Sequence, residues 1–174
     1  NFTHTQGFGE HPEMYKPVGY PGHNGDDYGM PDGTPLYAPI DGKIREKDTT
    51  SYYRGQTILI WDRSQKLSIR LAHMSKIIVE YQAEVLRGQL VGYSGSTGYS
   101  TGPHLHINAQ DTDYRGYTID SKDGYHGNYS ILDANRIELV PLPQTYWPSV
   151  PEGTKGVPGQ TTPGGSEVVQ PAPG

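Results

Sequence analysis

Five polar residues combine type and spacing in a way that could do chemistry: His23, Asp27, His73, His104 and His106. His23 and Asp27 lie in GHNGDD, either side of Gly25. A glycine there lets the backbone fold so that an imidazole and a carboxylate point at one cation, and both are ordinary zinc donors. Alone, the segment also reads as a polar turn. His104 and His106 lie two apart in GPHLHIN. On a strand they share a face, while Leu105 and Ile107 turn to the core. Both could ligate a metal, or one could ligate while the other acts on a bound water. His73 lies in RLAHMS at the end of an alternating strand, where a lone histidine reads more readily as a core residue than as a catalyst. Three protein ligands with one open position would make a catalytic zinc site. Imidazole is a suitable proton acceptor near neutral pH. No HExxH segment is present, so histidine would have to replace the helical glutamate base.

The elements that must position these residues read as strands. GQTILIWD (55–62) is a buried strand between polar turns. In KLSIRLAH, period two places Leu67, Ile69, Leu71 and His73 on one face and Ser68, Arg70 and Ala72 on the other. PLYAPIDGKIREK (35–47) breaks at Asp-Gly and reads as strand, turn, strand. Residues 74–86 read as an irregular link. The stretch 86–110 reads as two strands joined by a Gly/Ser/Thr-rich loop. Residues 1–13 hold one short strand and a loop. Asp111 to Tyr129 form a long Tyr- and Gly-rich loop, either functional or a loose surface insert. ILDANRIELVPLP suggests one helical turn and a last strand. No helix longer than a turn or two is visible. The expected fold is all-β, a compact antiparallel sandwich or barrel-like sheet with long loops and little helix. The expected domain is 1–147, followed by a Pro/Gly-rich linker or disordered tail, 148–174.

Composition removes several function classes. The 174 residues suffice for one domain with a core, and the net charge is −5. That charge disfavours nucleic acid, which needs a basic face. No segment is long and apolar enough to span a membrane, and there is no signal-peptide core. The chain begins at Asn1 and reads as processed or excised. Cysteine is absent, so a metal must be held by His, Asp and Glu. There are 23 glycines, 15 prolines and 14 tyrosines against 2 phenylalanines. That favours many turns between short strands, with tyrosine in part of the core.

On these residues the chain resembles the lysostaphin/LytM-type zinc endopeptidases, whose fold is of the duplicated hybrid motif type. Their His-x-Gly-x-Asp segment matches His23, Gly25 and Asp27. Their Ala-His segment matches Ala72-His73, and their His-x-His segment matches His104 and His106. PDGTPLYAPIDGKI, RGQLVGYSGSTGYSTGPHLHI and the opening TQGFGE also fit, so the resemblance runs from about Thr3 to Pro143. It implies one zinc ion on His23, Asp27 and His106, with His73 and His104 as the catalytic pair beside the reacting water and carbonyl. Which of the two is base and which is oxyanion donor stays open. The resemblance implies a peptide cross-bridge or stem peptide of peptidoglycan as substrate, and a secreted, cell-envelope or phage-virion setting. A wall-binding or virion module beyond the tail, and a monomeric state, are further expectations. Tyr52, Tyr53, Tyr99 and Tyr117 are candidates for contacting substrate, while His4, His11 and His126 are expected to face solvent. Asp26 departs from the family, which carries an apolar residue there. It could face solvent or compete with Asp27. The competing readings are a non-catalytic binding or regulatory relative, or a carrier or phosphotransfer module. The complete polar set argues against the first, and Asp27 together with the lack of an exposed hairpin lysine against the second.

Overall fold

The computed structural model describes residues 2–133. In chain order, β1 (Thr3–Gln6) leads to a one-turn helix α1 (Pro12–Tyr15) and a 3-10 turn (Lys16–Val18). Then come β2 (Asp26–Gly29), β3 (Pro35–Tyr37), β4 (Gly42–Ser51), β5 (Gly55–Asp62) and β6 (Leu67–Met74). They are followed by β7 (Lys76–Ile77), β8 (Glu84–Val85), β9 (Leu90–Tyr93), β10 (His104–Asp111) and β11 (Asn128–Tyr129). Eight strands form one antiparallel sheet in the order β1-β2-β10-β6-β5-β4-β8, with β11 also on β10. The other three form a small sheet, β3-β9-β7. The all-β expectation holds. The 147/148 domain boundary, the tail and the turn and strand expected near 134–143 lie outside the described residues.

The core sits between one face of the large sheet and the small sheet. Ile44, Ile58, Ile60, Ile69 and Leu71 from the first join Leu36 and Val91 from the second in one cluster. These are β-branched or leucine side chains at alternate positions, and each contributes about 1.5–3 kcal/mol when fully buried. The sheets approach closely at Gly92, where a Cβ would fall 2.3 Å from the Met74 Cε.

Three expectations change. The strands either side of Asp41-Gly42 are not a hairpin: β3 pairs with β9 and β4 with β5 and β8, so the turn carries the chain between sheets. Residues 74–86 hold two short strands, β7 and β8, too brief for their periodicity to show. The loop 111–129 is packed down. Trp61 Nε1–H donates to Thr112 Oγ1 at 3.1 Å, and a Cβ on Gly116 would sit 3.0 Å from the Trp61 ring. Phe8 meets Tyr125 with ring centroids 4.4 Å apart, which fastens the loop to the N-terminal segment.

The most consequential change concerns His73. Along β6, Leu71 pairs with Ile58 but Met74 pairs with Gln56, so Ala72 and His73 together oppose Thr57. One extra residue on one strand is a β-bulge, and it reverses the alternation beyond it. His73 carries the strain, with φ 57° in the left-handed region that residues other than glycine rarely adopt. Its backbone N–H donates to the Arg54 carbonyl at 2.9 Å. Period two placed His73 beside Leu71 on the apolar face. The bulge turns it to the polar face instead.

Candidate metal centre

That polar face is where the five residues meet. In β2 and β10, Asp27 pairs directly with His106, and His106 pairs on its other side with Ala72. Asp27 and His106 therefore share a face, and the alternation of β10 brings His104 to the same side. His23 enters from the loop before β2. The bulge delivers His73, whose ring centroid lies 4.5 Å from that of His104 and 6.0 Å from that of His106.

Three donor atoms converge. His23 Nε2 is 3.0 Å from His106 Nδ1, and His106 Nδ1 is 3.0 Å from Asp27 Oδ1. His23 Nε2 is 3.3 Å from Asp27 Oδ1, closing the triangle. Donors around a tetrahedral zinc with bonds of 2.0–2.2 Å stand about 3.3 Å apart. The triangle thus already has the dimensions of three zinc ligands, and all three residues are buried. The donor set, two imidazoles and a carboxylate, is ordinary for that ion.

The second layer fixes the tautomers. His23 Nδ1 lies 3.2 Å from the Gly7 carbonyl, to which it donates its proton, leaving the Nε2 lone pair toward the cluster. His73 Nδ1 donates to the Thr97 carbonyl at 2.8 Å, and His104 Nδ1 to the Gly102 carbonyl at 2.8 Å. Both of these rings therefore present an unprotonated Nε2 to the site. His104 Nε2 lies 3.7 Å from Asp27 Oδ2, outside the ligand triangle. Period and spacing left open whether His104 or His106 ligates, and the geometry brings only His106 into the close set.

Electrostatics keep the site ready for a cation. Burial pushes His73 down to about 4, with the Thr97 carbonyl opposing. Burial also pushes His106 down, against the pull of Asp27. Burial alone would raise Asp27, but the His106 and His23 rings against it outweigh that and hold its carboxyl well below the usual range. The Asp27 carboxylate thus lies directly against the His23 and His106 rings.

Gly25 serves a different purpose from the one its sequence suggests. A Cβ there would fall 2.6 Å from His106 Cε1 and 2.7 Å from Nε2 and from the Ile107 carbonyl. The glycine makes room for a ligand ring, and its φ is unremarkable for any residue. Asp26 neither faces solvent nor competes for the metal. It is 1% exposed and accepts from Ser130 Oγ at 2.6 Å, from the Ile131 N–H at 2.9 Å and from His4 Nε2 at 3.2 Å. His4 reaches Asp26 from an exposed position, and His11 and His126 are exposed as expected. Tyr15 went unnoticed in the sequence, where an aromatic in a Pro/Gly-rich stretch carries no signal. Its ring lies 5.1 Å from that of His23, and burial with the charge of Asp27 pushes its phenol up to about 12. Tyr52, Tyr53 and Tyr99 form one cluster near His73. Tyr117 lies apart, beyond the far end of β10, in the turn closed by the Thr112–Thr118 bridge.

An antiparallel β fold with a buried His/Asp/His triangle and two further imidazoles beside it defines a metallohydrolase-type centre. The chain belongs to peptidase family M23, whose model matches residues 21–121, and the family's metal is zinc. It is 37% identical over 142 residues to the glycyl-glycine endopeptidase ALE-1 of Staphylococcus capitis, covering 78% of this chain and 38% of that protein. It is 31% identical over 156 residues to lysostaphin of Staphylococcus simulans, covering 88% of this chain and 30% of that protein. Over a shorter stretch of 84 residues it is 43% identical to the peptidoglycan DD-endopeptidase ShyA of Vibrio cholerae, covering 48% of this chain and 19% of that protein. The chain thus spans well under half the length of these relatives. Among solved structures, the catalytic domain of S. simulans lysostaphin superposes with a TM-score of 0.56 at 36% identity, over 63% of this chain and 80% of that one. The prophage-encoded M23 protein EnpA of Enterococcus faecalis, as its A109H catalytic domain, gives 0.56 at 31% identity, over 71% and 92%.

Proposed function

We propose that this chain is a zinc-dependent endopeptidase that hydrolyses peptide bonds in peptidoglycan cross-bridges or stem peptides, acting at the cell envelope. The observation that carries it is the donor triangle of 3.0–3.3 Å with the His73 and His104 imidazoles beside it. His23, Asp27 and His106 hold the zinc. Bound there, zinc polarises a peptide carbonyl and acidifies water.

The chain's own residues supply the rest. His73 and His104 each keep their proton on Nδ1, against the Thr97 and Gly102 carbonyls, and so offer Nε2 as acceptor. One Nε2 takes the proton of the attacking water as its oxygen bonds the carbonyl carbon, and returns that proton to the leaving amine as the C–N bond breaks, while the other ring lines the side of the developing oxyanion. Tyr52, Tyr53 and Tyr99 are proposed to contact substrate at the centre, whereas Tyr117, beyond the far end of β10, is not. The relatives' names supply the first bonds to try, a glycyl-glycine bond and the bond cut by a peptidoglycan DD-endopeptidase.

The test is mass spectrometry of fragments released from purified sacculi of several wall types, with His104→Ala as control. New amino termini made only by the unsubstituted protein would support the reading and name the bond. No release from any wall, with zinc bound, would replace it with a wall-binding or regulatory role.

A further inference from the structure

Two turns rise beside His73 and carry the most exposed aromatic surface near the site. Tyr52, Tyr53 and Tyr99 are 73%, 57% and 65% exposed. Their rings nevertheless touch one another. Tyr52 and Tyr53 stand edge to face with centroids 5.0 Å apart, and Tyr99 lies 6.5 Å and 6.4 Å from them. Contiguous exposed aromatic surface on a soluble fold marks an interaction site more often than not.

The patch is rigid. Tyr99 N–H donates to the Tyr53 carbonyl at 3.1 Å, locking one turn to the other. Thr97 Oγ1 accepts from Gln56 N–H at 2.9 Å and donates to the Met74 carbonyl at 2.7 Å. Gly98, at φ +75°, has so little room that a Cβ would lie 2.3 Å from the Gly55 nitrogen. Rings mounted on a locked backbone lose little freedom on binding. The same backbone positions His73, through the carbonyls of Arg54 and Thr97. Each of those carbonyls is within two residues of a patch tyrosine, so the rings are built on the same turns that hold His73.

We propose that Tyr52, Tyr53 and Tyr99 form a stacking platform for the glycan strand that bears the cleaved peptide, binding the pyranose rings of its N-acetylated amino sugars. The assignment rests on the endopeptidase reading above. Chemistry selects sugar over peptide. Arg54, the cation of this turn, shares the Glu46 carboxylate with Arg70, at 3.2 Å and 2.7 Å, so its guanidinium is already engaged within the fold. A pyranose has an apolar C–H face and a rim of hydroxyls. Tyrosine matches both, with a π face for the first and a wet O–H for the second. The rings also project outward from turn tips, as suits a stiff polymer lying across the domain while its peptide branch enters the centre.

The experiment uses the zinc-loaded full chain and two substrates with the same cross-bridge, one a free peptide and one carried on disaccharide-bearing muropeptides. In the Tyr52→Ala/Tyr53→Ala/Tyr99→Ala variant, the ratio of kcat/KM for the glycan-bearing to the free substrate should fall by about tenfold or more. Equal loss on both substrates would make the rings peptide contacts and overturn the proposal, as would no loss on either. If the triple variant unfolds, Tyr52→Ala, the most exposed position, is measured in the same way. If the unsubstituted chain cleaves neither substrate, the endopeptidase reading fails and the platform is judged by binding. Titration with a β-1,4-linked N-acetylglucosamine tetramer should then shift the tyrosine ring resonances, and unmoved rings would overturn the platform by itself.

Discussion

Asp26 and Asp27 are neighbours in the chain yet serve opposite faces of the sheet. Asp27 turns to the polar face, 3.0 Å from His106 Nδ1. Asp26 pairs in register with Ile107 on the core side and there accepts hydrogen bonds from Ser130, Ile131 and His4. One carboxylate belongs to the metal centre. The other staples the strand before it and the chain after β11 to the strand that carries a metal ligand.

Removing the staple should cost stability and spare the metal. Asp26→Ala leaves the Ile131 N–H and the Ser130 hydroxyl without their acceptor in a buried place, a loss of about 2–4 kcal/mol. Asp26→Asn keeps one acceptor oxygen and should lose about half as much. Urea unfolding reads both. Zinc content per chain should stay that of the unsubstituted protein, and a folded Asp26→Ala protein that has lost zinc would contradict the division of labour between the two aspartates.

Gly25→Ala should act through His106. The added methyl would press on the imidazole from 2.6 Å, with the Ile107 carbonyl on its other side, so the ring must leave its place in the triangle. A displaced ligand lowers zinc affinity by about 10–100-fold, the range seen when ligand orientation is lost. Competition with a zinc-chelating dye measures this directly. Affinity unchanged within twofold would mean that the ring relocates without loss.

Much of this centre was legible because its parts obey simple periodicities. His104 and His106 follow the alternation of a strand, and His23 and Asp27 belong to one short segment around a glycine, although the purpose of that glycine emerged only with the His106 ring against it. What stayed hidden depends on tertiary register. The bulge at Ala72-His73 can be recognised only once β6 is laid against β5, because no residue in RLAHMS announces it. Asp26 misled because a lone carboxylate gives no sign of the serine and backbone N–H waiting more than a hundred residues later. The strands β7 and β8, two residues each, are shorter than any pattern. The crossing at Asp41-Gly42 resembles a hairpin because the local chemistry of a turn does not say which sheet receives the next strand.

The roles of the two histidines of β10 should separate cleanly. His106→Ala removes one corner of the donor triangle, and purified protein should contain little zinc. His104 lies outside the triangle, its Nε2 3.7 Å from Asp27 Oδ2, so His104→Ala should retain zinc while peptide release falls by about 100-fold or more. Metal analysis beside a turnover assay distinguishes them. Zinc retained by His106→Ala would sink the ligand assignment.

Acid should destabilise the zinc-free protein in a window set by His73. Burial pushes this imidazole from 6.5 to about 4, so between those values the unfolded chain takes up a proton that the folded chain refuses. Stability therefore rises with pH through the window and is lost on acidification, by about 3 kcal/mol for the full shift. Burial pushes His106 in the same direction, which adds to the slope. Asp27, held below the usual carboxylate range, contributes stability that is present above its unfolded value of 3.8 and is lost only at lower pH, outside this window. Urea midpoints of the zinc-free chain at pH 7 and pH 4.5 should differ accordingly, and His73→Gln should narrow the gap. Zinc-loaded protein should show a steeper loss, because its ligands must stay unprotonated to hold the ion. Equal slopes for the unsubstituted chain and His73→Gln would show that His73 is not the group that refuses the proton.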